Sequence, residues 1–418
     1  MTCHPLYLHP LVTSTFQQLL FTFIAGFTSP NSILRPLGFV IFLLCNYVAL
    51  SSFTDYVEPP GWVARTVASA FPQITLTYFE RMIVRKIAYD SSIVNTNSRK
   101  SDDAAPNGNG HVAASDNKPP SFSQRYKFGN LVATSMRGLG TPWEVRHLHP
   151  FRSSDKSYVP PPGIFILRHV LAAVACYFTH RLCITTQLAL DQNFMSPGHV
   201  LFFRRVGDVS LDELKVRYIA TVTTVTSIYC FIQGGYSLAS AASVMLDSSA
   251  VKGWRPVFGE LSESYCLRQF WAVFWHQGLQ NNLRGTAGWI TVNVFRMRSH
   301  SLLSRYLKIL LAFFLSGLVH VPSDMGSAVP AAQSGAIQFF CMQPIGLMIE
   351  DVFRPLFSPL WKYQVWRIVA RPLGYFWVIT FLAWSGPVRW FPVIRMQNFE
   401  TETFGLGAFK PLAKVMSC

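Results

Sequence analysis

The sequence predicts an all-α integral membrane protein, a polytopic helical bundle of about 7–9 transmembrane helices counted from its apolar stretches. Three observations predict it. Of 418 residues 50% are hydrophobic, and only 14% are charged, where soluble domains carry about a quarter. Mean hydropathy is positive, at +0.26. Stretches of near span length recur from end to end, so one bundle with loops accommodates the chain better than several soluble domains.

In chain order the predicted spans are Leu11 to Thr28, Leu37 to Phe53, Ile164 to Leu190, Ile219 to Met245, Ser304 to Val321, Val329 to Ile349 and Pro372 to Phe391. An eighth, Trp62 to Phe79, is weaker because Arg65 and Pro72 interrupt it. Polar or helix-breaking residues at span ends, such as Arg305 and Lys308 ahead of ILLAFFLSGLV, fit helices that face protein or a water-filled cavity. Between the early and later spans, residues 91–124 are rich in Asn, Ser, Asp, Gly and Pro and read as a disordered linker. The expected organisation is residues 1–80 as N-terminal transmembrane helices, 81–136 as a polar loop containing the linker, and 137–418 as the core. RGLGTPWEVRHLHPF, Arg137 to Phe151, resumes ordered chain; it reads either as part of a site or as an interfacial turn with Trp143 at headgroup level.

The net charge of +15 does not point to nucleic acid, because the 36 Lys and Arg sit between apolar stretches. They cluster over Arg81 to Lys156, Lys252 to Arg298 and Arg354 to Arg371, the bias of cytoplasmic loops. The lipid bilayer is the expected partner. Met1 to Pro10 lacks the basic segment and small-residue cleavage site of a secretory signal, so the first span is expected to be retained.

Eight cysteines are present without a CxxC pair, and most fall in apolar stretches, so buried free thiols and no metal site are expected. Dinucleotide-binding, P-loop and nucleophile-elbow motifs are missing. No internal repeat is visible, which counts against a carrier built from repeated halves.

Two strings carry the chemistry: LRQFWAVFWHQ, Leu267 to Gln277, and FFLSGLVH, Phe313 to His320. Each sets one histidine, His276 or His320, inside aromatic or apolar sequence. An ionisable group at lipid depth marks a candidate site, and an imidazole there moves protons near neutral pH. Either histidine singly also suits a hydrogen-bonded structural role. Read as a helix, the first string places Arg268, Ala272 and His276 on one face beside Phe270, Trp271, Phe274 and Trp275; an interfacial amphipathic helix has the same pattern. QNNLRG adds amides, Asn281 among them, and Arg284, a set suited to anionic phosphates. In the second string Ser316 and Gly317 border His320 with small side chains, leaving room for substrate or serving close helix packing. Asp324 reads as a helix cap rather than as a group orienting the ring.

The two strings in this order resemble the signature of the membrane-bound O-acyltransferase superfamily, in its wax-synthase-like branch, as found in fungal natural-product acetyltransferases. GWRPVFG, Gly253 to Gly259, and RGLGTPWEV are similar to strings of the same enzymes. The resemblance is dense over Arg137 to Val145 and Gly253 to His320, and only hydropathic elsewhere. It implies that His320 is the essential histidine and that His276 stands where many relatives have asparagine. It further implies an acyl-CoA donor, an endoplasmic reticulum location, and a tunnel reaching His320 from both sides.

The expected reaction is acyl transfer from acetyl-CoA, a co-substrate and not a bound cofactor, to a hydroxyl of a hydrophobic terpenoid or meroterpenoid alcohol. His320 is the expected base, with His276, Gln277 or a backbone amide stabilising the oxyanion. Direct attack in a ternary complex is favoured because no serine or cysteine is placed as a nucleophile beside a base. Trp271, Trp275, Gln277, Asn281, Ser316 and Gly317 are expected to contact substrate. Arg268, Arg284 and Arg296 either meet the CoA phosphates or are ordinary loop charges. Long-chain wax-ester or sterol-ester synthesis is the alternative within the class, and a polytopic proton-coupled carrier the alternative outside it.

Overall fold

Each apolar stretch folds as a helix in the computed structural model, which describes residues 9–90, 93, 119–357 and 364–397. Among these residues the chain is helical, with no β-strand. The longer helices are α1 (Pro10–Phe27), α2 (Leu34–Ser51), α3 (Trp62–Tyr78), α4 (Phe122–Thr134), α5 (Pro162–Leu188) and α6 (Leu211–Met245). A short α7 (Leu267–Gln269) precedes α8 (Gln280–Trp289), α9 (Leu302–Met325), α10 (Ala336–Phe357), α11 (Gln364–Ser385) and α12 (Pro387–Arg395). Local signals set their ends. Pro10 and Pro162 occupy the first turns of α1 and α5, where a missing N–H is harmless. The Ser210 and Ser301 hydroxyls cap α6 and α9.

Among the described residues four helical segments, Leu34–Ser51, Pro162–Leu188, Leu302–Met325 and Ala331–Pro355, are long and apolar enough to cross a membrane. The other predicted stretches are helical too but carry more polar residues, such as Gln17 and Gln18 in α1, Arg65 in α3 and Thr223, Thr224 and Gln233 in α6. Helix α5 shows the inside-out pattern expected in lipid. Leu167, Leu171, Phe178 and Leu182 are exposed at 60–67%, while Cys176, His180, Cys183 and Gln187 face inward. The inward polar groups are paired: Ser227 with His180 Nδ1 at 2.9 Å, and Gln187 with Thr223 and Thr224 of α6.

Most of the linker reading lies outside the described residues. Its C-terminal end is a correction, because α4 starts at Phe122. Ser121 and Gln124 form a reciprocal capping box, and Phe128 and Val132 are buried in a cluster shared with α1, α2 and α3. Arg81 donates to the carbonyls of Val132, Ser135 and Met136, placing a buried cation on the C-terminal end of α4. Trp143 is likewise not an interfacial anchor. It is 6% exposed and packs edge-on against Phe128.

Helix α9 packs against α3, α8 and α10. Its approach to α10 requires Gly317, where an added Cβ would come 2.7 Å from Ile337 Cα. Gly317→Ala must therefore push the two helices apart, at a cost of about 1–3 kcal/mol. Thermal unfolding in detergent is expected to show a lowered midpoint for Gly317→Ala and little change for Leu318→Ala, whose side chain is exposed.

Candidate active site

The two histidines reach one cavity by different local structures. In α9 the N–H of His320 Nδ1 donates to the Ser316 carbonyl, one turn earlier, at 2.6 Å. A carbonyl only accepts, so Nδ1 carries the proton and Nε2 presents its lone pair. The ring lies against Phe340, 4.6 Å between centroids.

His276 arrives off the end of a helix, which corrects the continuous helix expected over Arg268 to Gln277. After α7 the chain widens into a π-turn over Phe270–Phe274, closed by Trp275 N–H on the Phe270 carbonyl at 2.8 Å, and Trp275 is extended. Such turns are uncommon and concentrate at functional sites. Groups distant in sequence satisfy the backbone at both ends. The Glu350 carboxylate accepts the N–H groups of Leu267 at 2.5 Å and Arg268 at 3.2 Å, and also Trp377 Nε1 at 3.0 Å. The Ala272 carbonyl accepts from Gln280, the Val273 carbonyl from His149 Nε2, and the Phe274 carbonyl from the Gly259 N–H, each at 2.9 Å. Burial holds the His149 pKa below that of a free imidazole, so near neutral pH its ring is neutral with the proton on Nε2.

The strings singled out in the sequence thus meet here. Arg137 donates to the carbonyls of Arg255 and Pro256 at 2.6 Å and to the Tyr236 hydroxyl at 2.8 Å, tying RGLGTPWEV to GWRPVFG. Gly138 sits at φ +61° in that turn, and a Cβ there would strike Trp143. Both strings then brace the His276 loop.

The cavity holds ≈ 330 Å³ and is lined mainly by apolar side chains, among them Trp271, Trp275, Leu279, Ile309, Phe313 and Phe340. His276, Ser316 and His320 supply polar wall, and Arg268, Arg284 and Lys308 supply cations. Both imidazoles line this one cavity. Trp271 is held from behind by Gln343, whose carbonyl oxygen accepts its Nε1–H at 3.2 Å. Arg268 is neutralised in part by Asp351 at 2.7 Å, and that carboxylate also takes Arg305 and Tyr306. No ion pair or hydrogen bond holds Arg284 among the described residues; it is exposed, with Arg146 near enough to reinforce its field.

Several expected contacts fall elsewhere. Gln277 is fully buried and donates to the His147 carbonyl, and Asn281 donates to the Trp143 carbonyl at 2.7 Å; both amides brace the loop. Gly317 faces Ile337, not the cavity. Arg296 is an exposed positive-φ residue outside the cavity wall. Asp324 is not a helix cap: it pairs with Arg389 at 3.1 Å and accepts from the Ser334 hydroxyl at 2.6 Å. It is a buried carboxylate inside a span-length helix. Sequence reasoning missed Phe340 against His320, Lys308 in the cavity wall, Gln343 on Trp271, Arg389 on Asp324 and the capping carboxylate of Glu350.

The helical bundle thus holds a largely apolar cavity in whose wall two histidines and cationic side chains come together. Residues 254–342, which contain both histidines, match the Membrane bound O-acyl transferase family. The chain is 32% identical over 283 residues to the acetyltransferase fsoF of Humicola fuscoatra, covering 64% of this chain and 67% of that protein. To the acetyltransferase ataH of Aspergillus terreus it is 32% identical over 283 residues, 64% of this chain and 89% of the other. To the acetyltransferase aurG of Calcarisporium arbuscula it is 28% identical over 391 residues, 90% of each. The chain belongs to the membrane-bound O-acyltransferase family and is an O-acyltransferase.

Capping by Glu350 is predicted to control the His276 loop. Glu350→Gln keeps the size but replaces a charged acceptor of two backbone N–H groups, a loss of about 1–2 kcal/mol. The expected result is a lower unfolding midpoint together with altered fluorescence from Trp271 and Trp275. An unchanged midpoint and spectrum would count against the capping role.

Proposed function

We propose that this enzyme transfers acetyl from acetyl-CoA to a hydroxyl of a terpenoid or meroterpenoid alcohol. The observation that carries the reading is the shared cavity wall: His320 with its Nε2 lone pair available, His276, and the cations around the same apolar space. The relatives' names, all acetyltransferases, support acetyl over longer chains. We extend the proposal to a multi-pass protein of the endoplasmic reticulum with 7–9 spans, divided into N-terminal helices over 1–80, a loop region over 81–136 and an acyltransferase core over 137–418.

In this reading the alcohol lies with its O–H toward His320 Nε2, which takes the proton as the oxygen attacks the thioester carbonyl. His276 stabilises the tetrahedral oxyanion, an effect worth about 3 kcal/mol for a well-aimed donor. Collapse breaks the C–S bond, and the imidazolium returns its proton to the departing thiolate. Ser316 offers His320 its carbonyl and not its hydroxyl, which supports direct transfer over a seryl intermediate. Trp271 and Trp275 shape the apolar wall, Ser316 leaves space beside the base, and Arg284, with Arg268 and Lys308 behind it, meets the anionic groups of CoA.

Membranes carrying the protein, supplied with acetyl-CoA or palmitoyl-CoA and a panel of terpenoid alcohols, are expected to release CoA and form the acetyl ester. His320→Ala should lower the rate by ~10²–10⁴-fold, and His276→Ala by ~10²-fold with partial recovery in His276→Asn. Arg284→Ala should raise KM for acetyl-CoA while sparing kcat. A His320→Ala enzyme as active as the parent would overturn the mechanism, and a preference for palmitoyl-CoA would replace acetyl transfer with long-chain ester synthesis.

A further inference from the structure

On three elements the wall of the large cavity ends beside one carboxylate. The wall begins at Lys308 on α9 and at Arg268 on α7, and on α10 it ends at Leu347, one turn before Asp351. Lys308 precedes His320 on the same helix by a rise of about 18 Å, so these cations stand far along the cavity from the imidazoles. Asp351 Oδ1 accepts from Arg268 Nη2 at 2.7 Å, and its Oδ2 accepts from Arg305 Nη2 at 3.2 Å and from the Tyr306 hydroxyl at 2.9 Å. Lys308 donates to a neutral partner, the Ser299 carbonyl, at 2.9 Å. Arg268, Arg305 and Lys308 thus surround a single negative charge where the cavity ends. The Arg305 side chain is 52% exposed, and ion pairs this open to solvent add little to folding, yet their charges act on any anion that reaches the same place.

Free CoA carries the same phosphates as acetyl-CoA, so cations that hold the donor hold the product equally. Such uniform binding lowers KM without raising kcat, and it delays release of the product. We propose that Asp351 is a positioning residue that keeps CoA exchangeable: it fixes the Arg268 guanidinium at the cavity wall and offsets part of the positive field that the phosphates meet there. This role rests on the acyl-transfer reading, and because it concerns the phosphates alone it is the same for a short or a long acyl chain.

The test uses the full-length enzyme in membranes with the best acceptor of the terpenoid panel, and compares the KM for acetyl-CoA with the inhibition constant of free CoA. Asp351→Asn keeps the size and an acceptor for Arg268 but removes the charge; both constants are expected to fall about three- to tenfold, and Asp351→Glu should restore them. Acetyl-pantetheine, a thioester donor without phosphates, should be used alike by parent and variant, which separates a charge effect from a disturbed fold. If Asp351→Asn does not accumulate, Arg305→Gln carries the test from outside the cavity wall: with Asp351 less offset, both constants are expected to rise, again with no change for acetyl-pantetheine. Constants that rise or stay level in Asp351→Asn, stay level in Arg305→Gln, or move for acetyl-pantetheine as well would overturn the role and leave Asp351 as a tie between helices while acyl transfer stands. No ester from any alcohol with any acyl-CoA would overturn acyl transfer and this role together.

Discussion

His320 donates its Nδ1–H to the Ser316 carbonyl at 2.6 Å, and this bond decides which ring nitrogen keeps its lone pair open. The carbonyl belongs to the preceding turn of the same helix, so the tautomer is set by α9 itself and needs no carboxylate behind the ring. Everything else at the site serves that arrangement. Gly317 lets α10 approach, α10 brings Phe340 against the imidazole, and the Arg389 guanidinium, held by Asp324, lies over the Phe340 ring 5.5 Å from its centroid. Asp324 is paired with Arg389 because an uncompensated charge inside the bundle is costly.

The second histidine depends on contacts that span the chain. A helix that stops at Phe274 exposes carbonyls that lipid-depth surroundings leave unmet. Gln280, His149 and the Gly259 backbone accept that task, while Glu350 caps the other end from 83 residues away. His276 thereby follows a turn whose Ala272, Val273 and Phe274 carbonyls are each engaged, and such engagement fixes where the side chain is presented.

How legible this was in the sequence follows from the range of the interactions. Helices α1, α2, α3, α5, α9 and α10 follow from apolar periodicity and length, which are local. So does the placing of His320, one turn from Ser316 within a single helix. The π-turn was not legible: LRQFWAVFWHQ reads as an unbroken amphipathic helix, and only partners outside it, Glu350 and His149 among them, show where it ends. For the same reason Gln277 and Asn281 looked like substrate contacts. Their amides point to the carbonyls of His147 and Trp143, residues whose proximity depends on tertiary folding. Asp324 read as a cap because its partner Arg389 lies 65 residues downstream.

In the proposed reaction one cavity, bounded by the π-turn and by α9, receives the acyl donor beside both histidines. Photolabelling with an acyl-CoA carrying a diazirine at the end of a short acyl chain tests it directly, with the adducts mapped by peptide mass spectrometry. Adducts are expected within Trp271 to His276 and Ile309 to His320, suppressed by excess acetyl-CoA. Adducts confined to α5 and α6 or to the N-terminal helices, with the same competition, would contradict it.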